Sequence, residues 1–238
     1  MRVVGIIQAR MGSKRLPGKS MMPLAGKPLL WQFIERVKRS SALGEIVLAT
    51  TIKPEDDILE TVASESGISV FRGSENDLVD RYYKAALEFK ADIIVRLCAD
   101  NPCIEPAEID RILRYHLASD NDFSSNTHNI MGNEYPDGLG AEVYNLSTLK
   151  RLRDETTDPA NREHPHSYVY DNPGKFRIGT VKCPPKFRRP DLKLDVNTKE
   201  EYEFIRFIYE TLYPLKPDFH ITDIIVLLDG ARSPQGKQ

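Results

Sequence analysis

The sequence predicts an α/β fold on a mixed, mostly parallel sheet, Rossmann-like in its first 120 residues. Three observations carry that reading. Short apolar runs of the kind buried on both faces of a parallel sheet recur, as in Val3 to Ala9 and Ile93 to Leu97. Between such runs lie segments whose apolar residues fall at helical spacing. Glycine and proline punctuate the joins. Strands that alternate with helices in this way need right-handed crossovers, which cover both faces of a parallel sheet.

Val3 to Ala9 forms the first strand and runs straight into a polar, glycine-bearing loop from Arg10 to Lys19. Pro28 suits the first turn of a helix in which Leu29, Leu30, Phe33, Ile34 and Val37 share a face, with Lys38 and Arg39 at its C-terminal end. Glu45 to Thr50 is the second strand. Pro54 opens a helix that turns Ile58, Leu59, Val62 and Ala63 inward until Gly67 stops it. Ser69 to Phe71 is a short third strand, and Asn76 to Lys90 an amphipathic helix with Leu78, Val79, Tyr82, Tyr83, Ala86 and Leu87 on one stripe. Ile93 to Leu97 follows as a buried strand and Pro106 to Ala118 as a helix.

From Asn121 to Asn145 the chain turns polar and turn-rich, so loops and antiparallel strands are expected there, with Ala141 to Tyr144 as one strand. Ser147 is expected to cap a short helix to Asp154, Arg162 to Tyr170 to form another, and Lys175 to Lys182 a strand. Lys193 to Val196 reads as the last core strand. It leads through Asn197 and Thr198 into a helix with Tyr202, Ile205, Ile208, Tyr209 and Leu212 inward. Residues 1–232 read as one domain, and 233–238 as a disordered tail.

Composition narrows the function. The 238 residues are 40% hydrophobic and 29% charged, which excludes a disordered, collagenous or coiled-coil chain. With 33 Lys plus Arg against 35 Asp plus Glu, no bulk charge draws the chain to nucleic acid or anionic lipid, and any anion site is local. Cys98, Cys103 and Cys183 are an odd number without C-x-x-C spacing, so neither a disulfide framework nor a structural zinc site is expected. No apolar run approaches the ~20 residues of a membrane span. Val3 to Ala9 also lacks a signal-peptide cleavage region, so a cytoplasmic protein is expected, with no nucleic-acid or membrane partner.

Ligands of open α/β sheets bind at the carboxyl ends of the strands, which directs attention to the loop after the first one. Arg10, Lys14, Arg15 and Lys19 give it four cations, with Gly12, Gly18 and Ser13 among them. Fixed charge suits phosphate oxygens, and glycines let backbone N–H groups approach them. The loop fits neither the P-loop pattern nor the dinucleotide fingerprint, so its phosphate scheme is a different one.

The stretch from Ala9 through Arg10, Gly12, Ser13, Arg15, Leu16, Pro17, Gly18 and Lys19, followed by Leu24-Ala25-Gly26-Lys27-Pro28-Leu29, resembles the N-terminal signature of sugar nucleotidyltransferases. It is most similar to the cytidylyltransferases that activate acidic sugars such as 3-deoxy-manno-octulosonate and sialic acids. Further segments resemble the branch called spore coat polysaccharide biosynthesis protein F: Arg96 to Pro102, Tyr135 to Val143, Arg162-Glu163-His164 with Tyr170 to Pro173, and Leu194 to Thr198. They occur in the family's order and span essentially the whole chain. The resemblance implies a GT-A-like nucleotidyltransferase fold, a small irregular subregion for dimerisation and the acceptor, a Mg²⁺ requirement, CTP as substrate and a homodimer.

Asp100 follows the strand Ile93 to Leu97, where Asn101-Pro102 breaks regular pairing, so its carboxylate faces the ligand crevice. It is the leading Mg²⁺ ligand, since hard oxygen donors neutralise a triphosphate through that ion. A second ligand is expected from either Asp195 or Asn197, which point to one face if the segment is a strand. Relatives often carry Asp at Asn197. Alternatively, Asn197 or Thr198 only caps the following helix.

Catalysis is assigned to Arg10, Lys19 and Asp100. The expected nucleotide-binding set is Gln8, Ala9, Arg10, Met11, Gly12, Ser13, Lys19, Arg72, Arg81, Arg96, Ala99 and Asp100. Here Arg72 and Arg81 rest on the resemblance of Arg72 to Asp77 to the family's segment near the base, and a surface role for Arg72 stands beside it. Asp137, Glu142, Arg162, Glu163 and His164 are assigned to the acceptor. His164-Pro165-His166 lacks a third soft ligand, so structural hydrogen bonding outranks a transition metal there. The cysteines read as small hydrophobes, and Tyr82, Tyr83, Tyr202, Tyr209 and Trp31 as core. The resulting reading is transfer of CMP from CTP to an acidic or modified sugar, for surface polysaccharide or glycan assembly. Use of another NTP, a phosphorylated acceptor, or nucleotide-sugar binding without this reaction are the alternatives.

Overall fold

The computed structural model describes residues 1–127 and 130–232. Val3–Gln8 (β1) is followed, after the cationic loop, by a two-stranded hairpin of Pro23–Leu24 (β2) and Lys27–Pro28 (β3). Ala25 and Gly26 both take positive φ, 47° and 79°, the pair a tight hairpin with strand-matched twist requires. Leu29–Val37 (α1), Glu45–Thr51 (β4), Asp57–Glu65 (α2), Ser69–Gly73 (β5), Leu78–Glu88 (α3), Ile93–Cys98 (β6) and Pro106–Leu117 (α4) complete the alternating half. Each expected strand and helix of this half is present.

The second half is Phe123–Ser125 (β7), Glu142–Asn145 (β8), Leu146–Glu155 (α5), Pro159–Glu163 (α6), Pro165–Asp171 (α7), Ile178–Gly179 (β9), Lys199–Leu212 (α8) and Ile221–Arg232 (α9). The sheet runs β5-β4-β1-β6-β8-β7-β9. β5, β4, β1 and β6 are parallel, while β8 enters antiparallel against both β6 and β7. Apolar side chains fill both faces. Ile7, Leu48, Val95 and Leu97 meet α1, α2 and α4 on one side, and Val4, Ile6, Ile94 and Tyr144 meet α3, α5 and α7 on the other. A third cluster, with Leu194, Val196, Tyr202, Ile205 and Phe219 at its centre, packs α8 and α9 against the hairpin and Tyr135. Tyr82, Tyr202 and Tyr209 are buried as expected, but Tyr83 is only half-buried, Ile58 and Leu87 are exposed where the helical stripes predicted them inward, and Trp31 is half-buried with the Lys27 ammonium 5.2 Å over its ring.

Four expectations are corrected. Lys193 to Val196 is not a strand of the sheet: its backbone is committed to loops, Leu194 N donating to the Asp137 carbonyl (3.0 Å) and Val196 N to that of Asp100 (2.8 Å). Of Lys175 to Lys182, only Ile178–Gly179 pairs, in parallel with β7. Arg162 to Tyr170 breaks at His164 (φ −124°, ψ 79°), because the residue before Pro165 is barred from the helical region. Ser147 lies inside α5, whose extended N-cap residue is Asn145. The sequence reading did not assign α9. Its start is closed by Asp223, whose carboxylate accepts from His220 N (2.7 Å). The expected tail, 233–238, lies outside the described residues.

Arg36 joins the C-terminal layer to the rest. Its side chain is buried in α1, Nε donating to the Ile104 carbonyl (2.9 Å) and Nη1 to that of Phe219 (3.0 Å), with the guanidinium 4.7 Å over the Phe219 ring. Arg36→Met removes both charge-assisted bonds and leaves two buried carbonyls unpaired. The expected cost is about 3 kcal/mol, read as a lower urea midpoint with an unchanged slope; an unaltered midpoint would refute this bridging role.

Candidate active site

At the carboxyl ends of β1 and β6 the chain encloses a cavity of about 690 Å³. Five cations line it (Arg10, Lys14, Arg15, Lys19, Arg96) together with five acids (Asp100, Asp137, Glu142, Glu163, Asp195). The cationic loop is held from below: the Met11 carbonyl accepts from Ser13 N and Gly18 N (2.8 and 3.0 Å), and Met11 N donates to buried Asp56 (2.7 Å). Gly18, at φ +74°, makes the turn that delivers Lys19.

Lys19 is nearly buried. Its Nζ lies 2.8 Å from Oδ2 of Asp100 and donates to the Val196 carbonyl (2.8 Å). Two acceptors compensate the ammonium and leave one of its three N–H groups for the cavity it lines. Arg10 spans from the Glu75 carbonyl (3.3 Å) to Glu163 (2.7 Å). Arg15 donates to Oδ1 of Asn197 (2.6 Å), and Asn197 Nδ2 donates to Oδ2 of Asp195. Thr198 and Glu201 form the capping box of α8, so Asn197 is not spent as a cap.

Asp195 keeps a buried oxygen, Oδ1, with no hydrogen-bond partner. Burial raises its carboxyl above the ordinary value, and the negative charges of Asp137 and Glu201 raise it further. Among the described residues no three His, Cys, Asp or Glu side chains cluster to hold a metal by themselves. The donors present fit Mg²⁺, which uses one or two carboxylates and takes its other ligands from water and substrate phosphates. An unpaired carboxylate oxygen at Asp195 and the half-exposed carboxylate of Asp100 supply that pair.

The far wall comes from β6 and β8. Their register sets Arg96 opposite Glu142 on one face, and the pair is buried, Nη1 to Oε1, at 2.8 Å. Tyr144 OH donates to Glu142 Oε2 (2.7 Å), and His166 Nδ1 stands 3.0 Å from Oε1. Burial pushes the Glu142 carboxyl up, but Arg96, His166 and Tyr144 together hold it well below the ordinary carboxylate range. Arg96 Nη2 and the Tyr82 hydroxyl both reach Gln8 Oε1 (3.2 and 3.3 Å), which fixes the orientation of that amide. Desolvation raises the Cys98 thiol to about 11, so it stands protonated at neutral pH and is no nucleophile.

The structure therefore gathers Gln8, Ala9, Arg10, Ser13, Lys19, Arg96, Asp100, Asp137, Glu142, Glu163, His164, Asp195 and Asn197 around one cavity. Other expected residues stand outside it. Arg72 is spent on the Thr51 and Lys53 carbonyls and Asp57, and Arg162 on the Arg153 and Thr156 carbonyls and Asp77. Arg81 is buried against the Ser74 carbonyl, and its desolvation lowers it to about 10. Met11, Gly12 and Ala99 shape the loop and the β6 end without lining the cavity. Lys14, Arg15, Asn101, Thr127 and His166 line it without having been singled out as ligands. For Lys14 and Arg15 the signal was present in the loop's charge. His166 was visible in the His164-Pro165-His166 spacing, which reads as structural hydrogen bonding, whereas Thr127 carries no signal.

The family model described as cytidylyltransferase matches residues 4–217. The chain belongs to the cytidylyltransferase family. It is 34% identical over 232 residues to the spore coat polysaccharide biosynthesis protein SpsF of Bacillus subtilis (strain 168), covering 95% of this chain and 94% of that protein. A solved cytidylyltransferase of Leptospira borgpetersenii serovar Hardjo-bovis (strain JB197) shares 33% identity and superposes with a TM-score of 0.90 over 100% of this chain and 99% of that one. A CMP:2-keto-3-deoxy-manno-octonic acid synthetase complexed with CTP shares the fold, with a TM-score of 0.69 at 19% identity over 89% of this chain and 99% of that one. This cytidylyltransferase is accordingly an enzyme of CTP-dependent nucleotidyl transfer on a mixed α/β, Rossmann-like fold.

The buried ion pair gives the cytidylyltransferase a pH signature. Because the Glu142 carboxyl is depressed in the fold, its stabilisation is complete above the ordinary Glu range near pH ~4.3 and is lost as pH falls through and below it. Glu142→Gln strands Arg96, so a deficit of about 3–5 kcal/mol is expected at pH 7, shrinking toward pH 3. Urea melts of both proteins across that range measure it. A deficit that stays constant would remove the ionised pair as its cause.

Proposed function

We propose that this cytidylyltransferase transfers CMP from CTP to a hydroxyl of an acidic or modified sugar, releasing pyrophosphate, in surface polysaccharide or glycan assembly. The observation that carries this reading is the pairing of nearly buried Lys19 with the half-exposed carboxylate of Asp100 at the root of the cationic loop, 2.8 Å apart and lining the same cavity as Asp195. Relatives named for spore coat polysaccharide biosynthesis and for 3-deoxy-manno-octulosonate support the sugar.

In this reading Arg10, Lys14 and Arg15 hold the β- and γ-phosphates, and Lys19 donates to an oxygen of the α-phosphate. Asp100 and Asp195 would hold Mg²⁺, with Asn197 orienting Asp195. The ion supplies charge neutralisation on the phosphates and on the departing pyrophosphate. The acceptor lies on the β6–β8 side, against Asp137, Glu142 and His164, and its hydroxyl oxygen attacks the α-phosphorus in line. Positioning and prearranged charge account for most of the acceleration, and no covalent enzyme intermediate is needed.

Pyrophosphate release with Mg²⁺, each of the four NTPs and a panel of 2-keto-3-deoxy sugar acids, neutral sugars and sugar 1-phosphates tests the reading. Release with CTP and a free sugar acid is expected. Release confined to another NTP or to sugar 1-phosphates would overturn the substrate assignment. With the productive pair, Asp100→Asn is expected to lower kcat at least about 100-fold while the protein stays folded; wild-type turnover would remove Asp100 from the mechanism.

A further inference from the structure

We infer that His166 is the general base that takes the proton of the acceptor hydroxyl, with Glu142 as the positioning residue that orients its ring. This deepens the transfer reading above and rests on it. The residues stand in a line from the sheet outward. Arg96 on β6 pairs with Glu142 on β8 at 2.8 Å, and Glu142 Oε1 stands 3.0 Å from Nδ1 of His166, in the first turn of α7. Nδ1 is buried and has no hydrogen-bond partner, and Glu142 Oε1 is the charged oxygen that stands beside it. A quarter of the His166 side chain is exposed, and the residue lines the cavity.

An ionised carboxylate beside Nδ1 selects the tautomer that carries its hydrogen there and leaves the lone pair on Nε2. Arg96 secures that state. Without it, a carboxylate this buried would take up a proton and cease to accept one. Pro165 fixes the first turn of α7 and so the approach of the ring, and the aromatic rings of His164 and Tyr170 flank it with centroids 6.0 and 6.2 Å away.

The location suits the acceptor. The cationic loop leaves β1, the Lys19–Asp100 pair sits at the end of β6, and Glu142 and His166 form the next wall along the sheet. A sugar hydroxyl directed at an α-phosphorus held by Lys19 enters from this wall. In the step, the hydroxyl oxygen forms its bond to the α-phosphorus as its proton passes to His166 Nε2. The bond from that phosphorus to the bridging oxygen breaks, and pyrophosphate leaves with the electron pair. The imidazolium that forms is stabilised by Glu142 and returns its proton to water when the product departs.

The charged and titratable groups facing the ring are Glu142 and Tyr144 from β8, Arg96 from β6, and His164 and Tyr170 from its own segment. Long-range ¹⁵N–¹H spectra of the wild-type enzyme above pH 8 are expected to show His166 with its hydrogen on Nδ1; the Nε2–H tautomer would overturn the assignment. This readout needs no acceptor, so silence of the whole sugar panel would sink the transfer reading alone.

With CTP and the productive sugar of that panel, His166→Ala is expected to lower kcat roughly 100-fold or more, with the Kd for CTP unchanged. Added imidazole is expected to restore part of the rate. Wild-type kcat in His166→Ala would overturn the proposal. Loss of CTP binding in step with the rate would do the same, by making His166 a nucleotide contact instead.

Discussion

The ammonium of Lys19 is the charge around which the site is arranged. Burying it without partners would cost several kcal/mol, and its two acceptors come from segments far apart in the chain, Asp100 after β6 and the Val196 carbonyl before α8. One side chain thus fixes the cationic loop against the sheet and the C-terminal layer at once. Val196 N in turn donates to the Asp100 carbonyl, so the two acceptors also hold each other. This explains why residues 193–196 lie as a strap across loop ends and not as a strand. Their hydrogen bonds tie the segment that bears Asp195 to the loops of Asp100 and Asp137.

The second constraint is the reversal at β8. A fully parallel sheet would present helix N-termini and loops along its whole carboxyl edge. Entering antiparallel, β8 lays side chains there directly, and its register sets Glu142 against Arg96. Gly140 permits this approach, because a Cβ at that position would fall 2.2 Å from the Asn126 carbonyl oxygen. The result is a cavity with two electrostatic halves. One holds the cations of the loop, paired at the cavity wall with Glu163, Asn197 and Asp100, and the other holds the buried Arg96–Glu142 pair.

Much of this was legible in the sequence, and the boundary has a physical reason. Elements of the first half form from local signals: apolar runs between turn residues, and helices with one apolar stripe. The loop from Arg10 to Lys19 and Asp100 followed, because strand ends in α/β sheets are where ligands bind. Beyond residue 121 the signals are tertiary. KLDV has the composition of a strand, but the slot beside β6 is filled by β8, which leaves the segment to pair with loops. Arg72 and Arg162 look like ligands by charge alone. Only the structure shows that carbonyls and carboxylates already occupy their guanidinium groups. His166 shows the reverse case: its spacing with His164 reads as structural, and only the structure sets it beside the carboxylate of Glu142.

The scatter of the site along the chain bears on how the enzyme is born. Translation delivers the cationic loop first, then Asp100, then Glu142 and His166, and only afterwards Asp195 and the Val196 carbonyl. A nascent chain that has passed β6 carries Lys19 with one of its two acceptors still unmade. The final carboxylate is set in place when α8 and α9 cover the strap that bears it. The cavity is therefore completed late in synthesis, and a ribosome-bound or prematurely ended chain holds the cationic loop without the strap that closes the site around it.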